Sequence, residues 1–180
     1  MKGHDQDGRD WIAEALRLHE GPLVRYAARI TGDLELARDI VQDCFLRLCR
    51  QRREELDGHL KEWLFKVCRN RAFDFLRKAR RMDAGTNDLV DLDRTPGAGP
   101  APLERAEASE DARRLLAVLA DLPERQQEIL RLKFQEGMSY RQISAVTGAS
   151  IGNVGVILHG AIRTLRARLG DGTVPTRRQA

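Results

Sequence analysis

The sequence predicts an all-helical protein of two small domains, and three observations carry that prediction. Apolar residues recur at three- and four-residue spacing through most of the chain, while strand-like alternation is absent. A stretch rich in proline, glycine and aspartate divides the 180 residues into halves, each large enough for one small core. The second half reads as a short helix, a glycine-containing turn and a longer helix ending in arginines. The expected division is a first domain over 1–82, a linker over 83–103, a second domain over 104–170 and a frayed tail over 171–180.

The first helical stretch runs roughly from Asp10 to Ile30, with an interruption expected at Gly21-Pro22. The second runs from about Asp33 to Arg50. Its wheel places Ala37, Ile40, Val41, Cys44 and Leu48 toward the core, and Asp39, Gln42, Asp43 and Leu46 on the opposite side. An acidic, polar face with a leucine in its middle looks like a contact surface, although one exposed leucine is common in any protein. The third stretch runs from about Leu60 to Arg81. On its wheel Phe73 falls among Lys66, Asn70 and Arg77, well away from Leu64, Cys68 and Phe75. Phe73 therefore either stacks on a ligand or packs against the first helix, and Trp63 is open to the same two readings.

From Met82 to Leu103 the helical pattern stops. The segment holds Pro96, Pro100, Pro102 and the acids Asp83, Asp88, Asp91 and Asp93, a composition expected to stay extended in the free protein. An amphipathic helix restarts at Leu103 and runs to Leu122. Pro123 suits the first turn of the next helix, and Gly137 ends it. Ser139 is placed to cap a short helix, with Gln142 at the capping-box position, and Gly148 closes that helix. Ser150 caps the last helix. Ile143, Ala145 and Val146 are expected to form the apolar side of the short helix, and Ile151, Val154, Leu158, Ile162 and Leu165 the stripe of the long one.

The formal charge of +4 says little, but its distribution says more. Between Leu60 and Arg81 stand eight basic residues (Lys61, Lys66, Arg69, Arg71, Arg77, Lys78, Arg80 and Arg81) against two acids, Glu62 and Asp74. The segment beginning at Arg163 is also basic. Local positive fields of this kind suit a polyanion such as nucleic acid, and the competing reading is a solvated helix face. Placed in a helix-turn-helix, the N-terminal end of the last helix enters the major groove. There the Asn153 amide suits adenine edges, and Ser139, Tyr140 and Arg141 suit phosphates.

Other functions find no residues. There is no GxSxG, HExxH or phosphate-loop pattern, so no enzyme is expected, and no cofactor. Cys44, Cys49 and Cys68 lack CxxC spacing and the four histidines form no ligand pair, so buried free thiols and no metal site are expected. No apolar run reaches the roughly 20 residues of a membrane span. The polar start MKGHDQDGRDW does not read as a signal peptide, so a cytoplasmic protein without membrane insertion is expected.

At this point three motifs resemble one family. The stretch from Leu122 to Leu169, LPERQQEILRLKFQEGMSYRQISAVTGASIGNVGVILHGAIRTLRARL, resembles the C-terminal promoter-binding region of RNA polymerase sigma factors, especially the extracytoplasmic-function (ECF) group. DLELARDIVQDCFLRLCR resembles that group's polymerase-binding helix, and LKEWLFKVCRNRAFDFLRKARR its DNA-melting and minus-ten-reading helix. The order and spacing match the group's two-domain plan over nearly the whole chain. The resemblance implies a sigma factor that directs promoter-specific initiation, with core RNA polymerase, promoter DNA and an anti-sigma factor as partners. Asp39, Gln42, Asp43 and Leu46 would then bind the clamp helices of the largest polymerase subunit. The minus-ten and melting set would be Arg52, Arg53, His59, Trp63, Asn70, Arg71, Phe73, Arg77, Lys78, Arg80 and Arg81, with the loop from Arg52 to His59 holding an unstacked base. The upstream (minus-thirty-five) set would be Ser139, Tyr140, Arg141, Ser150, Asn153, His159 and Arg163. The linker would thread near the RNA path, its acids mimicking nucleic-acid charge.

One departure from the family stands out. Its recognition helices carry basic or polar residues just after the valine matching Val154. Here Gly155, Val156 and Ile157 stand there, and Gly160 follows His159. Fewer phosphate contacts imply weaker free binding and a gentler salt dependence. The competing functional readings are a stand-alone helix-turn-helix regulator that senses a signal through its first domain, and an interaction module that has lost DNA binding.

Overall fold

The computed structural model describes residues 3–84 and 110–170, and over these the chain is all-helical. It separates into two compact units, with the main division near residue 90. The expectations about the linker and the tail fall outside the described residues.

The first unit consists of α1 (Gly3–Thr31), α2 (Leu34–Leu48), the single turn α3 (Arg53–Leu56) and α4 (Leu60–Ala84). Helix α1 runs unbroken through Pro22, against the expected interruption. A proline inside a helix costs about 3 kcal/mol through the lost N–H and the crowded carbonyl. The residues beyond it hold the helix together, because Leu23, Tyr26 and Ala27 are buried and the Tyr26 ring lies 5.1 Å from that of Phe65. Burial of side chains the size of Leu23 and Tyr26 stabilises by about 1.5–3 kcal/mol each, enough to offset the proline.

Gly32, at φ 75°, turns the chain out of α1. Asp33 then caps α2, its carboxylate accepting from the backbone N–H of Glu35 at 2.8 Å and of Leu36 at 3.2 Å. Such a cap contributes about 1 kcal/mol. The inward stripe of Ala37, Ile40, Val41, Cys44 and Leu48 is buried as its spacing requires, and Phe45 joins it. Cys44 and Cys68 are buried free thiols, but Cys49 is exposed, because it follows the last core residue of α2. A hydrogen bond with Cys44, and then burial, pushes the Cys68 thiol far above its ordinary range.

Helix α4 corrects the wheel. Phe73 is buried, whereas Phe75 is 45% exposed. The inward positions follow two i,i+4 rows, Leu64–Cys68–Ala72 and Phe65–Arg69–Phe73, the ridges by which crossing helices pack. Such rows turn by about 40° per step around the helix. As α4 crosses α1 and α2, its buried side therefore drifts toward Phe73 and away from Phe75. The Arg69 guanidinium carbon stands 4.6 Å over the Phe73 ring.

The second unit consists of α5 (Glu110–Ala120), α6 (Glu124–Phe134), α7 (Tyr140–Thr147) and α8 (Ile151–Leu169). Pro123 sits at the N-cap of α6, one residue before the expected first turn. The buried Gln127 amide closes the corner between α5 and α6, donating to the carbonyls of Ala120 at 3.1 Å and Leu122 at 2.8 Å. Gly137 and Gly148 take φ of 66° and 75° and end their turns as expected. Ile143 and Val146 are buried, but Ala145 is exposed, being two residues from Ile143 and so on the far side of α7. The stripe of α8 is Val154, Leu158, Ala161 and Leu165. Ile162 is only half-buried, and Ile151, first in the helix, is 51% exposed.

Two outcomes follow. Replacing Phe73 by alanine leaves a cavity and is expected to lower unfolding stability by about 3 kcal/mol in a denaturant titration. Burial, and behind it the positive field of Lys61, lowers the His19 pKa from its ordinary value. A lowered folded-state pKa gives stability that is present above the unfolded value, about 6.5, and lost as pH falls. Thermal midpoints are therefore expected to drop on acidification below that value, and His19→Asn is expected to flatten the decline.

Candidate polymerase and nucleic-acid interfaces

A cavity of about 780 Å³ opens between α1 and α2. Its apolar lining includes Ile12, Leu16, Val24 and Phe45, and Asp39, Gln42 and Leu46 stand along it from α2. Leu46 is 57% exposed there, so the leucine left outside the core belongs to an apolar groove. The sequence pattern of α2 alone revealed only one wall, because the other comes from α1.

Asp43 does not line this groove. Its Oδ2 accepts from Arg71 Nε of α4 at 2.6 Å and from Arg47 Nε at 3.1 Å. One carboxylate oxygen thus bridges two guanidinium groups and ties α2 to α4. Of the four residues expected on one face, three share the groove and one turns toward the neighbouring helix.

On α4, Lys66, Asn70, Arg77, Lys78 and Arg81 are exposed on the side away from the core, with Arg77 paired to Asp74 within the helix. The side chain of Arg80 lies outside the described residues. Of the two aromatic rings open to either reading, Phe73 is in the core, and Trp63 is half-buried on the side of α4 that carries Asn70 and Arg81. Arg52, Arg53 and His59 are exposed around α3, which gives the expected loop one helical turn. Leu56 anchors that turn by burial. Arg52 lies 3.7 Å from Glu54, and His59 Nδ1 lies 3.1 Å from the Asp57 carbonyl. The α3 turn sets the exposed acids Glu54, Glu55 and Asp57 beside its two arginines, so the cationic surface suited to holding phosphates is that of α4.

In the second unit α7 and α8 meet at 104°, within the range of helix-turn-helix pairs. The capping box forms reciprocally: Ser139 N–H donates to Gln142 Oε1 at 3.0 Å, and Gln142 N–H donates to Ser139 Oγ at 3.2 Å. Ser150 Oγ accepts from Asn153 N–H at 3.2 Å. Both serine oxygens are thus engaged in shaping helix starts, while Arg141, Asn153, His159 and Arg163 are exposed. Tyr140 is half-buried, with Lys133 Nζ 5.4 Å from its ring centroid. Val156, absent from the expected set, is 72% exposed on the same outward side of α8. Among the described residues no cluster of metal-ligating side chains occurs, and no single helix is long and apolar enough to cross a membrane.

Comparison with known proteins locates these surfaces within a family. Residues 15–82 match Sigma-70 region 2 and residues 112–165 match Sigma-70, region 4. The chain is 32% identical over 160 residues to the ECF RNA polymerase sigma factor SigL of Mycobacterium tuberculosis, covering 85% of each protein. It is 31% identical over 169 residues to the RNA polymerase sigma factor CarQ of Myxococcus xanthus, covering 92% of this chain and 94% of that one. The ECF sigma factor SigE of Mycolicibacterium smegmatis is 30% identical over 169 residues; that match takes in 93% of this chain but 65% of the longer relative. Among solved structures, the sigma factor RpoE in complex with the anti-sigma factor NepR, from Bartonella quintana, shares the fold at a TM-score of 0.63. That match has 23% identity and covers 90% of this chain and 98% of RpoE. Two sigma-70 regions in order along one chain, together with these relatives, place the protein in the extracytoplasmic-function group of RNA polymerase sigma factors.

Proposed function

We propose that the chain binds core RNA polymerase through the α1–α2 groove and directs initiation at particular promoters, with α4 serving the minus-ten element and its strand separation, and α7–α8 the upstream element. The observation that carries this reading is the groove beside a separate cationic helix surface in the first unit. A regulator that only docks on duplex DNA through its helix-turn-helix has use for neither. The chain acts by binding rather than catalysis, and works in the cytoplasm beside the polymerase. The RpoE complex supports an anti-sigma factor as its regulator.

In this reading Asp39, Gln42 and Leu46 meet the polymerase clamp helices, and the groove supplies apolar area behind a polar rim. Asp43 has a different task. It holds Arg71, and through Arg71 it fixes α4 relative to α2, so the helix that grips polymerase and the helix that meets DNA keep one geometry. Lys66, Asn70, Arg77, Lys78 and Arg81 hold the DNA backbone. Phe73 supports that surface from inside.

Three outcomes test these roles. Asp39→Arg and Leu46→Glu are each expected to weaken co-purification with core polymerase roughly tenfold while the thermal midpoint stays put; unchanged recovery would remove the groove from the interface. Asp43→Arg sets a third guanidinium group beside those of Arg47 and Arg71 and is expected to depress promoter opening, and Asp43→Arg with Arg71→Asp is expected to restore it. No recovery in the swapped pair would make Asp43 a direct polymerase contact. Neutralising Arg77 and Lys78 together is expected to reduce permanganate reactivity of promoter thymines more than it reduces recruitment of the holoenzyme. If wild-type holoenzyme opens no promoter to which it is recruited, the melting role fails.

A further inference from the structure

Helix α8 exposes an apolar side chain where a DNA-reading helix ordinarily presents polar groups. Val156 is 72% exposed, the most solvent-open large hydrophobic side chain among the described residues. It lies opposite the buried stripe of Val154, Leu158, Ala161 and Leu165, at the centre of the outward face. The residues four before and four after it on the same ridge are Gly152 and Gly160. A Cβ at either glycine would meet nothing within 4 Å, so the fold itself does not require them. Gly155 differs, since its Cβ would touch the Tyr140 ring at 3.6 Å. Glycine inside a helix is less stable than alanine, so Gly160 in mid-helix, and to a lesser degree Gly152 in the first turn, weaken the free helix without a return in packing. Whatever they serve lies outside the unit.

The charge around this ridge selects the partner. Helix α8 contains no acidic residue, and Asn153, His159 and Arg163 are exposed on the same side as Val156. Arg141 stands exposed on α7, which meets α8 at 104°. A ridge without acids and flanked by Arg141 and Arg163 suits the major groove of a polyanion. On the major-groove floor the apolar feature is the 5-methyl group of thymine.

We propose that Val156 reads a thymine 5-methyl group in the upstream promoter element, and that Gly152 and Gly160 let the α8 backbone seat deeply enough for it to reach. The proposal rests on the reading of α7–α8 as the upstream-element binder. A cationic side chain would take part of its affinity from phosphate or guanine. Val156 takes none, so it contributes selectivity without salt dependence.

The experiment uses the full chain assembled with core polymerase, on a promoter that this holoenzyme selects from a randomised library. Each upstream thymine is replaced in turn by deoxyuridine, which removes only the methyl group. One such replacement is expected to weaken wild-type binding roughly fourfold, the worth of one buried methylene-sized group. Val156→Ala is expected to show a similar loss on the thymine promoter and indifference to that uracil. Gly152→Ala and Gly160→Ala are expected to raise the thermal midpoint of the free chain while weakening promoter binding. Wild-type indifference to every uracil replacement, or full methyl sensitivity in Val156→Ala, overturns the proposal. Alanine variants at the two glycines that bind as wild type overturn the close approach. Arg141→Ala with Arg163→Ala separates the two levels. If that variant loses upstream binding while the methyl is without effect, Val156 is excluded and the α7–α8 reading stands. If it binds as wild type, the α7–α8 reading falls with it.

Discussion

Leu23 of α1 and Phe65 of α4 are closed to solvent, and the Tyr26 ring packs 5.1 Å from Phe65. The first unit depends on this seam. It carries α1 past a proline that would otherwise end the helix, and it fixes the crossing of α4 over its neighbours. Once that crossing is set, the i,i+4 rows of α4 decide which of its residues go inside, and the cations are what remains outside. The α1–α2 groove comes from the same packing, because the two helices meet along their inner stripes and leave their outer apolar residues facing a common hollow.

The second unit is organised more by local chemistry than by a large core. Two serines and two positive-φ glycines fix where α7 and α8 begin and end. A cap contributes about 1 kcal/mol, little beside a buried aromatic, but it sets direction as well as stability. With α7 closed at Gly148 and α8 started at Ser150, the chain has only one residue, Ala149, in which to turn. The buried Gln127 amide has a comparable role at the α5–α6 corner, where it satisfies two carbonyls that the helix end would leave unpaired. Both devices keep backbone polar groups satisfied while the apolar stripe of α8 is held against α5 and α6.

The same chain thus treats charge in two ways. On α4 the cations are dense, and the buried aromatic beneath them is support. On α8 the cations lie toward the C-terminal end, and the outward face near the start is glycine, asparagine and valine. The first arrangement suits a surface that must hold DNA through a change of form. The second suits a helix that gives up electrostatic grip for closeness to the bases, which a factor delivered by polymerase tolerates better than one that finds DNA alone. Asp43 links the two demands on the first unit, since its carboxylate joins the helix of the groove to the helix of the cations.

The sequence by itself determined the long helices in outline, the serine caps of α7 and α8, and the family. Spacing of apolar residues, serines ahead of helices and glycines behind them act within a few residues, so Ser139, Gln142, Gly148 and Ser150 were legible without any tertiary contact. The charged stretch of α4 was legible for the same reason. The tertiary structure alone decided which face of a helix each neighbour covers. A single wheel assumes one straight partner, whereas α4 crosses two helices, so Phe73 went inside and Phe75 stayed out. Pro22 was misread because its local cost is visible in sequence and the distant burial that offsets it is not. Asp43 left its expected companions because the nearest cation to it, Arg71, is 28 positions away along the chain and adjacent only after α2 and α4 pack. Val156 was visible in sequence as a departure off the apolar stripe, but that it stands in open water between two glycines whose Cβ positions would meet nothing was decided by the packing of the other side chains of α8.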